Sequence, residues 1–132
     1  MRFTERELTV ALEGAAKSVL AVQDKTVRKG RRTADEAWEA LSRYQRFQLL
    51  DGLGDQVLPV LVGLPDVEVA PGTRPEFSDE QVRTAVEERL GNDLRGIKRR
   101  VLLEARVALV KAALATIPPR ADPDAIIVPD HL

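Results

Sequence analysis

Leu8, Leu12, Ala15, Val19 and Val22 recur at intervals of three and four, with Ala11, Ala16 and Leu20 widening the stripe. A period near 3.6 places them on one side of a helix, predicted from Glu5 to about Gln23. Ala34, Ala37, Trp38, Leu41 and Tyr44 lie along one side of a second predicted helix, from Thr33 to about Leu50, with Trp38 as its anchor. Val57 to Val62 is apolar with little periodicity. A short helix capped by Asp55 is preferred there, because Pro59 then ends the first turn, where its missing N–H costs little. The strongest pattern runs from Leu94 to Ile117. Turning about 100° per residue, Ile97, Val101, Ala105, Ala108, Ala112 and Ala115 share one broad side, while Leu103, Val107, Val110, Leu114 and Ile117 share another. A helix apolar on two sides is either central or packs on both its own bundle and a partner. The Ala-rich side lets another helix approach closely.

Local signals mark where the helices begin and end. Phe3-Thr4-Glu5-Arg6-Glu7-Leu8 and Phe77-Ser78-Asp79-Glu80-Gln81-Val82 each read as a capping box with a hydrophobic staple, and Thr33 to Glu36 as a box without the staple. Aligned at an offset of 74, the two stapled segments part by Gly14 against Glu88, so shared start physics accounts for them without duplication. The basic run Lys25, Arg28, Lys29, Arg31 and Arg32 is interrupted by Gly30, a good residue to end the preceding helix because it tolerates a left-handed backbone. Asp51-Gly52-Leu53-Gly54-Asp55 reads as a breaker. Pro65, Pro71, Gly72 and Pro75 predict a loop with at most one short strand, Val67 to Ala70. A helix follows from Ser78 to about Leu90, then a Gly91-Asn92-Asp93 break before the long helix. Pro118-Pro119 ends that helix and opens an extended arm around Ile126, Ile127 and Val128. The expected fold is a single all-α domain, a bundle of four to five helices: a helical group over 4–63, a Pro-rich central loop over 64–77, a second helical group over 78–117, and an extended C-terminal arm over 118–132.

Composition narrows the chemistry. At 132 residues the chain is long enough for one core without disulfides or metal, and its 4% aromatic content means that core is built from Leu, Val and Ala, which suits close helix packing. Twenty basic residues against twenty-one acidic leave a formal charge of −1, so no global field draws the chain to nucleic acid. The absence of Cys removes disulfides, thiolate nucleophiles and thiolate metal sites. The charged N-terminus shows no secretory signal, and Val57 to Leu64 is far too short to cross a bilayer, so a cytoplasmic protein without membrane contact is expected.

No catalytic, cofactor or metal set emerges. His131 stands alone in a terminal segment that rarely positions a base. Asp51, Asp55 and Asp66 lack the alternating oxygen-ligand spacing of a calcium loop. Gly52 and Gly54 lack the third glycine or following Lys of a phosphate cradle, and adjacent carboxylates such as Glu87-Glu88 and Asp35-Glu36 diverge on a helix. A pocket near Trp38, Tyr44 and Gln48 is the remaining route to a small ligand.

Two basic segments have a nucleic-acid reading. Lys25, Arg28, Lys29, Arg31 and Arg32 provide five cations in eight residues, although cations near a helix C-terminus also suit its dipole. Asp79 to Val101 has the outline of a helix-turn-helix whose second helix presents Lys98, Arg99 and Arg100. Glu87 falls where tight crossing wants a small residue, so a plain helical hairpin is preferred. The preferred function is a small helical protein-interaction module that self-associates as a homodimer, with no cofactor and no catalysis evident. Leu103, Val107, Val110, Leu114 and the arm residues Ile126, Ile127 and Val128 are the candidate contacts. A nucleic-acid-binding regulator is the alternative.

Overall fold

The computed structural model describes residues 1–120. Within them the chain forms α1 (Glu5–Gln23), α2 (Lys25–Arg28), α3 (Ala34–Ala40), α4 (Arg43–Gly63), α5 (Asp79–Arg89) and α6 (Gly96–Thr116), with no strand. Four helices start in reciprocal capping boxes. In α1 the Glu7 amide donates to the Thr4 hydroxyl at 3.1 Å and the Thr4 amide to the Glu7 carboxylate at 2.9 Å. Thr33 with Glu36 and Ser78 with Gln81 repeat the arrangement. Each box satisfies N–H groups that a helix start otherwise leaves without partners. Phe3 and Phe77, just ahead of their boxes, are half-buried against the core.

Several expectations are corrected. The helix predicted from Thr33 to Leu50 is two helices, broken at Leu41, because Ser42 and Gln45 form a fourth box that starts α4. The Asp51 to Asp55 segment does not break the chain, and Asp55 caps nothing. α4 runs through both glycines and through Pro59 to Gly63. Leu53, Val57, Val60 and Leu61, spaced at four, three and one, are all buried. Burying such side chains contributes roughly 1.5–3 kcal/mol each, against about 1 kcal/mol lost per helical glycine and about 3 for an interior proline, so tertiary burial outweighs local propensity. Val67 to Ala70 is not a strand; residues 65–77 carry neither helix nor strand. Asp24 caps a short separate helix, α2, within the basic run. Gly30, at φ 72°, ends α2 rather than α1, with Gly30 N–H donating to Val27 and Arg31 N–H to Thr26. That pair of bonds is the Schellman closure a glycine at this position permits. Ile126, Ile127 and Val128, with most of the predicted arm, lie outside the described residues.

Cross-helix contacts fix the directions of the four longest helices. Thr116 Oγ1 donates to Val10 C=O at 3.3 Å and Arg120 bonds Glu7, so α6 runs antiparallel to α1. The N-terminal amine donates to Val62 C=O at 3.0 Å and also to Leu64 C=O, while Gly54 lies near Leu12, so α4 is antiparallel to α1 as well. Lys111 pairs with Asp79, Arg83 with Glu104, and Arg99 Nη1 donates to Gly91 C=O at 2.7 Å, which sets α5 antiparallel to α6. The bundle therefore has one end formed by the start of α1, the end of α4, the start of α5 and the end of α6. The opposite end gathers the close of α1, α2, the first turns of α4 and the α5–α6 connection. Between them Ala11, Ala15, Val57, Val60, Val86, Val107, Val110 and Ile117 belong to a single buried cluster.

Candidate interaction surfaces

The core takes only one side of α6. Val107, Val110 and Ile117 are buried, and Leu103 and Leu114 pack on the same cluster. Of the candidate self-association residues on this helix, Leu103, Val107, Val110 and Leu114 are thus contacts within the chain. The opposite side faces out: Ile97 is 79% and Val101 62% exposed, and Ala105, Ala108 and Ala115 are exposed along the same line, with Ala112 half-buried. Periodicity marks both sides as apolar and does not say which one turns inward. Side-chain volume decides it, since the Leu, Val and Ile side buries more apolar area than the Ala side.

One edge of that outer face carries charge. Arg83 Nη1 and Nη2 donate to the two Glu104 carboxylate oxygens at 2.5 and 2.9 Å, and Arg83 Nε to Asp79 at 3.0 Å. Lys111 closes the group on Asp79. The Lys111 and Arg83 cations hold the Asp79 carboxyl below its ordinary value, and Arg83 does the same for Glu104. Glu104 and Lys111 side chains remain about half exposed, at 53% and 50%, so each keeps a solvent-facing side.

The basic candidates gather at the end of the bundle away from the N-terminus, but they differ in availability. Arg32 folds back, donating from Nη2 to Asp24 at 2.8 Å and from Nε to the Thr26 hydroxyl at 2.6 Å. The Thr26 hydroxyl and Arg32 lower the Asp24 pKa to about 2. Arg99 is spent on the Gly91 carbonyl. Lys25, Arg28, Lys29, Arg31, Lys98 and Arg100 are exposed and pair with no carboxylate among the described residues. Arg89, Arg99 and Arg106 also line a cavity of about 250 Å³ at the α5–α6 connection, where the buried Arg106 Nε has no acceptor among the described residues. The α5–α6 pair does not cross at its turn as a helix-turn-helix does. Its contacts extend from Asp79–Lys111 to Gly91–Arg99, side by side along the whole of α5.

The remaining candidates do not converge. Trp38 is buried, with the Arg46 guanidinium 5.5 Å from its ring centroid, whereas Tyr44 and Gln48 are exposed and bond each other. Asp51 and Asp55 lie on α4, beside a groove that also receives Arg89, and Asp66 pairs with the N-terminal amine. A larger groove of about 720 Å³ lies between residues 72–77 and the end of α6. Of its polar groups, Arg74 donates to Ala115 C=O at 2.8 Å, and Lys111 pairs with Asp79. Among the described residues no group of His, Asp or Glu is placed to hold a metal ion, and no helix is long and apolar enough to cross a membrane. Compared with known proteins the chain stands apart: no family model fits it, and no curated protein and no solved structure is significantly similar to it.

Proposed function

We propose that this chain is a small helical protein-interaction module that self-associates. The observation that carries the reading is the outer face of α6, where Ile97 and Val101 stay exposed after the core has taken the other side of the helix. Large apolar side chains grouped on one exposed helix face mark an interaction surface more often than scattered ones do. The grooves hold no nucleophile–base pair and no metal set among the described residues, so nothing in the geometry favours catalysis over binding. Light scattering over a concentration series tests the reading. The expected mass is twice that of the chain; a monomer that persists at the highest concentration rejects it.

A second reading, binding of a nucleic-acid backbone, is favoured by the exposed cations Lys25, Arg28, Lys29, Arg31, Lys98 and Arg100 at one end of the bundle. Each phosphate neutralised contributes about 0.9 to the slope of log affinity against log salt on duplex DNA. Fluorescence anisotropy with labelled duplex DNA and RNA should therefore show affinity collapsing as salt rises. No binding at the lowest salt rules this reading out.

A further inference from the structure

We infer that the partner on the outer face of α6 is α6 of a second copy, packed antiparallel about a two-fold axis between Ala105 and Ala108. The inference rests on the self-association reading and adds the face, the direction and the register. Val101, Ala105, Ala108, Ala112 and Ala115 are spaced four, three, four and three apart, which is the 3.5-residue period of a helix–helix seam. The residues of this seam are large at one end and small at the other, so it fits itself only when one copy is reversed. Val101 then meets the partner's Ala112, and Ile97 with the stem of Lys98 covers the partner's Ala115. Ala105 meets the partner's Ala108 at the centre, where small side chains let helix axes approach to about 8 Å.

Charge selects the same direction. Glu104 and Lys111 are seven residues apart on one edge of the seam. In the reversed arrangement like edges meet, and the register sets Glu104 against the partner's Lys111, twice by symmetry. In a parallel pair Glu104 would instead face Leu109 and Lys111 would face Thr116, with no opposite charge on either. The contact is isologous, so it closes as a dimer and does not propagate.

The absence of Cys from the sequence gives a clean test. In the full chain, the double variant Val101→Cys/Ala112→Cys should oxidise to a covalent dimer. Val101→Cys alone should not, because eleven residues at 1.5 Å each place the two copies of position 101 about 16 Å apart along the axis, beyond disulfide reach. Val101→Asp, at a site open to solvent in the monomer, should keep its helix content and weaken dimerisation about 100-fold or more by forcing an unpaired charge into the seam. Cross-linking of Val101→Cys alone overturns the antiparallel register. A dimer that forms equally well with Val101→Asp leaves self-association standing and removes this face, whereas a wild-type monomer removes both.

Discussion

At one end of the bundle the N-terminal amine, Arg74, Thr116 and Arg120 each bond a group 41 to 118 residues away in sequence. At the other end the polar contacts are short-range: Arg32 returns to Asp24, Arg46 to Trp38 and Glu39, Arg99 to Gly91. Exposure divides the same way. Among the described residues, the exposed large apolar side chains Val22, Tyr44, Phe47, Leu94, Ile97 and Val101 lie toward the second end or on the α6 half that leads to it, whereas Val62 lies at the first. Long-range bonds tie the N-terminal amine and the helix ends into one unit, so the first end serves stability. The second exposes cations that pair with no carboxylate among the described residues together with exposed apolar side chains, and the proposed association would act there. The difference teaches where each kind of mutation should act: on folding at the sealed end, on association at the open one.

The largest expected effect at the sealed end is at Gly14. It is buried in α1, and a Cβ there would fall on the Thr116 side chain, including its Cβ, which cannot rotate away. Helix propensity alone would favour Gly14→Ala by about 1 kcal/mol. The clash requires α1 and α6 to separate, an overpacking cost near the upper part of the 1–3 kcal/mol range, so the net loss should be about 2 kcal/mol in chemical denaturation. A gain in stability would mean the helices are not in close contact there, and the sealed end would lose its main packing feature.

Arg120→Ala should cost somewhat less, about 1–2 kcal/mol, because Glu7 keeps its bond from the Thr4 amide. Glu7 is 5% exposed, and Arg120 reaches it from Nε at 3.3 Å. Burial acts to raise the Glu7 pKa, but the Thr4 amide and the Arg120 guanidinium outweigh it and hold the carboxyl below its ordinary value. A depressed folded-state pKa contributes stability that is full above the unfolded value near 4.5 and is lost as pH falls through the folded one. The deficit of Arg120→Ala should therefore be largest at neutral pH and shrink under acid, when both proteins carry a neutral Glu7. At the open end, the Thr26 hydroxyl and Arg32 hold the Asp24 carboxyl down to about 2, so its clasp on Arg32 should survive well into acid. Stability curves for the wild type and Arg120→Ala that stay parallel down to pH 3 would show that Glu7 is not what the arginine serves.

Local signals were the most legible part of the sequence. Thr4, Thr33 and Ser78 act within three residues of themselves, and their boxes start helices where the spacing says they should. The Ser42–Gln45 box was equally available, but Leu41 and Tyr44 extend the stripe of Trp38 across it, and a continuous period hid a real break. What the sequence did not reveal depends on contacts far along the chain. Thr116 against Gly14 and Arg120 against Glu7 have no local trace, and the inward side of α6 is chosen by what the other helices fill. The candidate surfaces follow the same rule. Lys25 to Arg32 is visible as a basic run, yet only the fold shows that Arg32 is clasped while Lys25, Arg28, Lys29 and Arg31 meet no carboxylate among the described residues.

The smallest effect bears on the helix that joins the two ends. α4 passes through Gly52 with helical geometry although the surrounding Asp-Gly-Leu-Gly-Asp suggests a turn. If burial of Leu53 and Val57 alone holds the helix there, the glycine is a standing cost, because its extra backbone freedom in the unfolded chain is lost on folding. A Cβ at Gly52 meets nothing within 4 Å, so Gly52→Ala should remove that cost without a clash and stabilise the fold by roughly 0.5–1 kcal/mol. On a chain of this size that is a rise of about 2–4 °C in Tm. The contrast with Gly14 is the point of the experiment: the same substitution in two helical glycines should have opposite signs, set by whether another helix is present where the methyl goes. A fall in Tm for Gly52→Ala would show that the segment needs a backbone only glycine allows, and α4 would then be two helices with a joint between the sealed and open ends.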